Sequence, residues 1–237
     1  MTETRRLYYE DVYKKEFTAT VVECRERKKG YAIILDESAF YPEGGGQPSD
    51  VGTLGDAKVT EVHEKDGELL HYTDKALEVG VKVEGKIDWT RRFDLMQQHS
   101  GEHMVSGIIH AKYGYDNVGF HMGGDVITVD LNGMLDEAQL AEIEQEVNER
   151  VWEDKEVQIT YPTAEELQAL DYRSKKELTG QVRIVTFPGV DVCACCGTHV
   201  THTGEIGMVK LLSVVKFRDG IRMEMICGKR VLDYLNM

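Results

Sequence analysis

The 237-residue sequence contains no stretch approaching the roughly 18 to 20 uninterrupted apolar residues of a membrane span, so a helical membrane protein is excluded. Its beginning, MTETRRLYYED, puts charges where a signal peptide needs an apolar segment, and residence in the cytoplasm is the expectation. Proline is scarce, at four residues, and no low-complexity or linker-like stretch occurs, as expected of a compact soluble protein. Five cysteines, three of them Cys193, Cys195 and Cys196, make no disulfide framework in a chain of this size; a metal site or a reactive thiol fits better. Positive charge is also in deficit. Against 42 Asp and Glu stand 28 Lys and Arg, a formal charge of -14, so long-range repulsion opposes indiscriminate polyanion binding and only a local basic groove is compatible with it.

What is present divides by period. Up to about residue 88, apolar residues alternate with polar ones over 17–23, 31–35, 58–63, 69–72 and 81–87, which predicts short strands. Turn signals at Lys29-Gly30, Asp66-Gly67 and Val79-Gly80 separate them at the spacing of a small antiparallel barrel or sandwich, of which the barrel is the expectation. From Asp88 the period changes. A helix is predicted over 90–112, with Phe93, Met96, Ile108 and Ile109 as buried positions, and a second over 136–153, where Leu140, Ile143, Val147 and Val151 recur at three and four. Asp136 with Gln139, and Thr163 with Glu166, have the pattern of reciprocal N-terminal caps. Strands follow at 182–187, 207–215 and 221–226. The fold class expected is therefore α+β: a barrel domain over 1–88, then a domain over 89–237 with helices packed on an antiparallel sheet.

His99 and His103 are spaced i, i+4, so on a helix both imidazoles leave one face a turn apart, as two ligands of a single ion must. Alone, that pair arises often by chance. Cys195 and His199, four apart in Cys-Cys-Gly-Thr-His, complete a two-His, Cys-plus-His set suited to zinc, one ion per chain. The gap between the two clusters is too long for a zinc finger, whose metal replaces a core, so the ion is expected in a folded cleft where it orients a substrate or polarises water. The helix shares His-x3-His with zinc peptidases, but Ser100 stands where their general-base glutamate would be, which counts against a metalloprotease.

Three motifs carry a resemblance: Gln98-His99-Ser100-Gly101-Glu102-His103, Cys195-Cys196-Gly197-Thr198-His199 and Thr203-Gly204-Glu205-Ile206-Gly207. Their order and spacing resemble the editing domain of alanyl-tRNA synthetase and its free-standing relatives, the AlaX editing proteins. Phe40-Tyr41-Pro42-Glu43-Gly44-Gly45-Gly46-Gln47-Pro48-Ser49-Asp50 is similar to the glycine-rich motif of the medium-length AlaX class, and the end at Met237 is short of the long extension of the largest class. One departure is Cys196, where the family usually has glycine; Cys195 keeps the matching position.

The resemblance implies hydrolysis of the ester that joins serine, or glycine, to the alanine tRNA, with His99, His103, Cys195 and Thr198 at the reacting centre and no stable protein partner. No ATP is needed for an ester already activated, and the chain has no Gly-x4-Gly-Lys-Ser/Thr phosphate loop. Such a second sieve exists because a synthetase pocket gains too little from one methyl or hydroxyl to exclude near-isosteres. Gly44, Gly45, Gly46, Gln47, His121, Arg91 and Arg92 are the candidate substrate or tRNA contacts, with Lys210, Lys216, Arg218, Lys229 and Arg230 as further basic positions. Two other readings keep the same residues: editing of serine on threonine tRNA, whose synthetase has a similar His-x3-His and Cys-x3-His core, and a zinc-stabilised RNA-binding module without catalysis.

Overall fold

The computed structural model describes residues 3–174 and 180–237. Its contacts divide the chain into two units, Met1–Phe93 and Asp94–Met237, a few residues beyond the change of period at 88.

The first unit holds β1 (Arg5–Arg6), α1 (Leu7–Glu10), β2 (Glu16–Glu26), β3 (Tyr31–Leu35), β4 (Glu37–Ser38), β5 (Gly52–Leu54), β6 (Ala57–Lys65), β7 (Glu68–Thr73) and β8 (Lys82–Ile87). Six strands close into a barrel in the order β2-β3-β7-β6-β5-β8, every neighbouring pair antiparallel. The alternating residues identified in the sequence turn one face inward, so that Phe17, Ala19, Val21, Ile33, Leu35, Val59, Val62, Leu69 and Ile87 fill the interior with Phe40 and Leu54. Closure removes the unpaired edges that would otherwise recruit other strands.

The glycine-rich segment is folded against this barrel by a buried ion pair. The Arg92 guanidinium is fully buried and forks onto Asp50, while its remaining N–H groups donate to the carbonyls of Ala39 (2.7 Å) and Val12 (3.0 Å). Asp50 in turn accepts from the Tyr41 amide at 2.7 Å. Between these anchors the backbone of Gly44 and Gln47 exchanges two hydrogen bonds of 3.0 Å around Gly45 and Gly46, whose φ of +62° and +86° define a tight turn that L side chains disfavour.

The second unit is built on the continuation of α2 (Trp89–Tyr113), which starts on an Asp88 side chain accepting from the Arg91 amide at 3.1 Å. It further contains β9 (Asn117–Met122), β10 (Ile127–Leu131), α3 (Glu137–Trp152), β11 (Gln158–Thr160), α4 (Ala164–Ala169), β12 (Ile184–Phe187), β13 (Asp191–Ala194), β14 (Val209–Phe217), β15 (Gly220–Cys227) and α5 (Lys229–Leu235). Among the described residues its strands form two antiparallel sheets where one was expected, β14-β15-β10-β9 and β11-β12-β13. Both capping pairs, Asp136 with Gln139 and Thr163 with Glu166, form reciprocally. The buried face of α3 (Ile143, Val147, Val151) is fastened to β14 by Asn148, which bonds both the amide and the carbonyl of Val209. In α2 every residue over 95–109 is buried, so this helix has no solvent face along most of its length. Among the described residues no helix is long and apolar enough to cross a membrane.

Candidate metal centre

On α2, His99 and His103 stack one turn apart, with ring centroids separated by 5.2 Å. The chain leaving β13 brings His199 to within 4.5 Å of the first ring and 4.9 Å of the second, and sets Cys195 Sγ 3.5 Å from His99 Nε2. Donor atoms of all four residues lie within 4.8 Å of one another, a geometry that can hold a metal ion. For zinc, ligands at about 2.3 Å (sulfur) and about 2.05 Å (nitrogen) at the tetrahedral angle lie about 3.5 Å apart, which matches the sulfur–nitrogen separation here. The three imidazoles are almost completely buried, and neither His103 Nε2 nor either nitrogen of His199 has a hydrogen-bond partner, although buried polar atoms are nearly always paired.

The protonation states of Cys195 and His199 suit ligation. Burial alone would raise the Cys195 thiol, but the rings of His99 and His199 bring it well below its ordinary value, toward the thiolate that binds metal. Burial pushes His199 down to about 3, leaving it a neutral imidazole. His103 is opposed by burial as well, yet its bond to the Asp191 carboxylate outweighs this and raises it. Asp191, which burial would raise, is held low by His103 and Arg173.

Several residues not anticipated in the sequence support the cluster. Ser100 accepts from the Val200 amide at 3.1 Å, so the side chain that replaces a peptidase glutamate fixes the backbone beside His199. Arg183, also buried, donates to the carbonyls of Cys195 (2.8 Å) and Gly197 (3.1 Å), and the Gly197 amide points at Cys195 Sγ from 3.4 Å. Glu205 accepts from the amides of Thr201 (2.9 Å) and His202 (3.0 Å) and so holds the segment after the last histidine. Phe120 lies 5.4 Å from the His99 ring, and Phe187 stacks 5.4 Å from His103. The roles of Ser100, Arg183, Phe120 and Phe187 have no local signal, because each depends on partners distant in sequence, whereas those of Gly197 and Glu205 lie within four residues of their partners.

The remaining candidates divide. Thr198 is fully buried, between Gly197 and His199. Cys195 occupies the cluster, whereas Cys193 is buried beside His103 and Asp191, and Cys196 is exposed. His121 is exposed on β9 next to Phe120, and strand alternation turns it to the face away from His99. Arg91 is half-buried and donates to the Ser49 carbonyl at 3.2 Å. Gly45 and Gly46 are exposed at the turn, but Gln47 is buried. Arg92 is corrected outright: fully buried on Asp50, it has no surface to offer a phosphate, and it serves instead as the anchor of the glycine-rich segment. Lys210, Lys229 and Arg230 are paired with Glu144, Asp233 and Asp94.

Comparison with known proteins adds an independent line. Residues 2–91 match the family described as tRNA synthetases class II (A), and residues 182–222 match the threonyl and alanyl tRNA synthetase second additional domain. Alanyl-tRNA editing protein AlaX-L of Pyrococcus horikoshii is 35% identical over 98% of this chain and 60% of its own length. Alanyl-tRNA editing protein Aarsd1 of Mus musculus is 32% identical over 95% of this chain and 59% of its own, and the alanine–tRNA ligase of Methanobrevibacter smithii is 36% identical over 98% and 28%. The chain thus spans about three fifths of the length of these two editing proteins. Motifs, family matches and near-complete alignment agree, and the chain belongs to the AlaX family of alanyl-tRNA editing proteins.

Proposed function

We propose that this chain is a zinc-dependent hydrolase that removes serine, and glycine, from wrongly charged alanine tRNA. The observation that carries this reading is the cluster of buried His99, His103 and His199 with half-buried Cys195, donor atoms within 4.8 Å, in a chain whose relatives are named alanyl-tRNA editing proteins. In the reaction a water oxygen attacks the ester carbonyl, the bond to the ribose oxygen breaks, and free amino acid and tRNA result. Zinc, when bound, supplies positive charge beside the ester and an orienting point for the amino group or for water.

The chain's own residues do the rest. His99, His103, Cys195 and His199 hold the ion, with the thiolate and the neutral His199 already in ligand form. Phe120 and Phe187 cover ring faces of His99 and His103 and keep water from them. Thr198, adjacent to a ligand, reads the hydroxyl of serine, because a site that pairs with a substrate hydroxyl rejects the analogue lacking it more strongly than an apolar pocket can. Gly45 and Gly46 present backbone to the RNA, with Arg91 nearby in sequence to the end of that unit.

The test is deacylation of serine-charged and alanine-charged tRNA-Ala side by side, with and without chelator. Loss of serine alone, abolished by chelation and restored by zinc, is expected; equal hydrolysis of both esters, or chelator-resistant activity, overturns the reading. Since one matching family is shared by threonyl and alanyl synthetases, serine on threonine tRNA belongs in the same assay, and preference for it would reassign the substrate.

A further inference from the structure

We infer that Asp191 and Arg173 form a buried chain of positioning residues that fixes His103 as a metal ligand. His103 Nδ1 donates to Asp191 Oδ2 at 2.8 Å. The opposite side of that carboxylate is gripped by a guanidinium fork, Arg173 Nε to Oδ1 at 2.7 Å and Nη2 to Oδ2 at 2.8 Å. The side chain of Asp191 is 1% exposed and that of Arg173 is 12%.

Backbone geometry holds the chain in place. The Arg173 amide donates to the Val192 carbonyl at 2.8 Å and its carbonyl accepts from the Ala194 amide at 2.9 Å, so the segment carrying Arg173 lies along β13, the strand that runs from Asp191 toward Cys195. On α2, Gly107 makes the close approach possible: a Cβ there would meet the Val190 carbonyl oxygen at 2.5 Å and Asp191 Cβ at 2.7 Å. The glycine one turn beyond His103 therefore admits the carboxylate to the ring.

The chemical consequence is specific. An imidazole has one donor and one acceptor nitrogen when neutral, and a carboxylate at Nδ1 fixes the proton there, leaving the Nε2 lone pair for the cluster. His103 Nε2, like both nitrogens of His199, is buried without a hydrogen-bond partner. Arg173 prevents the carboxylate from standing alone in the interior, where an unpaired charge is costly. Asp191 stands outside the set of His99, His103, Cys195 and His199 and acts on it through His103.

This inference rests on the reading that the cluster holds zinc, and its test keeps the two apart. Zinc affinity of the full chain is measured by chelator competition for wild type, Asp191→Asn and Arg173→Lys, and the cobalt(II)-substituted proteins are compared by absorption. Loss of an outer hydrogen-bond partner typically weakens metal binding by about 10- to 100-fold. Asp191→Asn is expected in that range with an altered cobalt ligand-field spectrum, and Arg173→Lys, which keeps the charge but loses the fork, is expected to lie between it and wild type. A wild type that binds no zinc overturns the metal reading and this inference with it. A zinc-binding wild type matched by equally tight variants with unchanged spectra overturns the inference alone. Should Asp191→Asn fail to fold, Arg173→Lys decides by the same comparison.

Discussion

At the scale of single residues, the two neighbouring cysteines separate ligation from packing. Cys195 stands with three imidazoles, while Cys193, two residues earlier on β13, lies by His103 and Asp191 in the interior. Cys195→Ala is expected to lose zinc and Cys193→Ala to keep it, read by elemental analysis of the purified proteins; equal zinc contents would refute the choice of thiol. A different residue sets a pH dependence in the barrel unit. His71 is fully buried, its Nδ1–H donating to the Ile33 carbonyl (3.0 Å) and its Nε2 accepting from the Ser38 hydroxyl (2.7 Å), and burial pushes it down to about 4. In the unfolded chain it titrates near about 6.5. On acidification the unfolded state takes up a proton that the folded ring refuses, so stability present above about pH 6.5 is lost progressively toward about pH 4, roughly 3 kcal/mol in all. Denaturant unfolding across that range should show the advantage of wild type over His71→Gln shrinking as pH falls. An advantage that stays constant would mean the ring is not held neutral. The four cluster residues were legible in the sequence because the type and spacing within each pair are local; Asp191, Arg173 and Arg183 were not, because only the folded chain brings them to the cluster.

At the scale of elements, α2 shows why a period can find a helix and miss its surroundings. Its predicted buried positions Met96, Ile108 and Ile109 are buried, but Phe93 is only half-buried, and Gln97, Gln98, Ser100, Glu102 and Ser106 are buried too. Gln98 bonds both the amide and the carbonyl of Cys227 at 2.8 Å, and Ser106 donates to Glu102 at 2.6 Å, so these polar residues face the interior and the helix has no polar stripe to betray its environment. β9, β10 and β13 left no trace in the reading: β9 is interrupted by Gly119 and His121, and β13 is only four residues long. Five of the six barrel strands, which have a wet face and a dry face, were readable for the opposite reason, while the three-residue β5 was not. The Gly44–Gln47 turn gives this scale its prediction. With φ of +62° at Gly45, alanine strains the turn by roughly 1–2 kcal/mol, whereas asparagine tolerates that conformation. Gly45→Ala is expected to lower the melting temperature. Gly45→Asn should melt like wild type yet deacylate more slowly, since its side chain obstructs backbone approach to RNA; unchanged deacylation by a fully folded Gly45→Asn would remove the turn from tRNA contact.

For the whole molecule, the proposed function raises the question of how a chain of charge -14 would engage a polyanion. The basic positions raised by the sequence are thinned by the structure, since Arg92 is buried and Lys210, Lys229 and Arg230 face carboxylates. Arg91, Lys216 and Arg218 are what that set retains for phosphate. Each phosphate neutralised releases its counterion, contributing about -0.7 (single strands) to about -0.9 (B-form duplex) to the slope of log affinity against log salt. A slope between roughly -2 and -4 is therefore expected, shallow for a tRNA-binding protein, with shape and acceptor-stem contacts supplying the rest of the recognition. Binding of uncharged tRNA-Ala titrated over a range of salt concentrations measures it directly. Replacing Lys216 and Arg218 together by alanine should flatten the slope by about two units if both touch phosphate. A wild-type slope of about -8 or steeper would require a basic surface far larger than these residues make, and would move the RNA-binding face elsewhere on the chain.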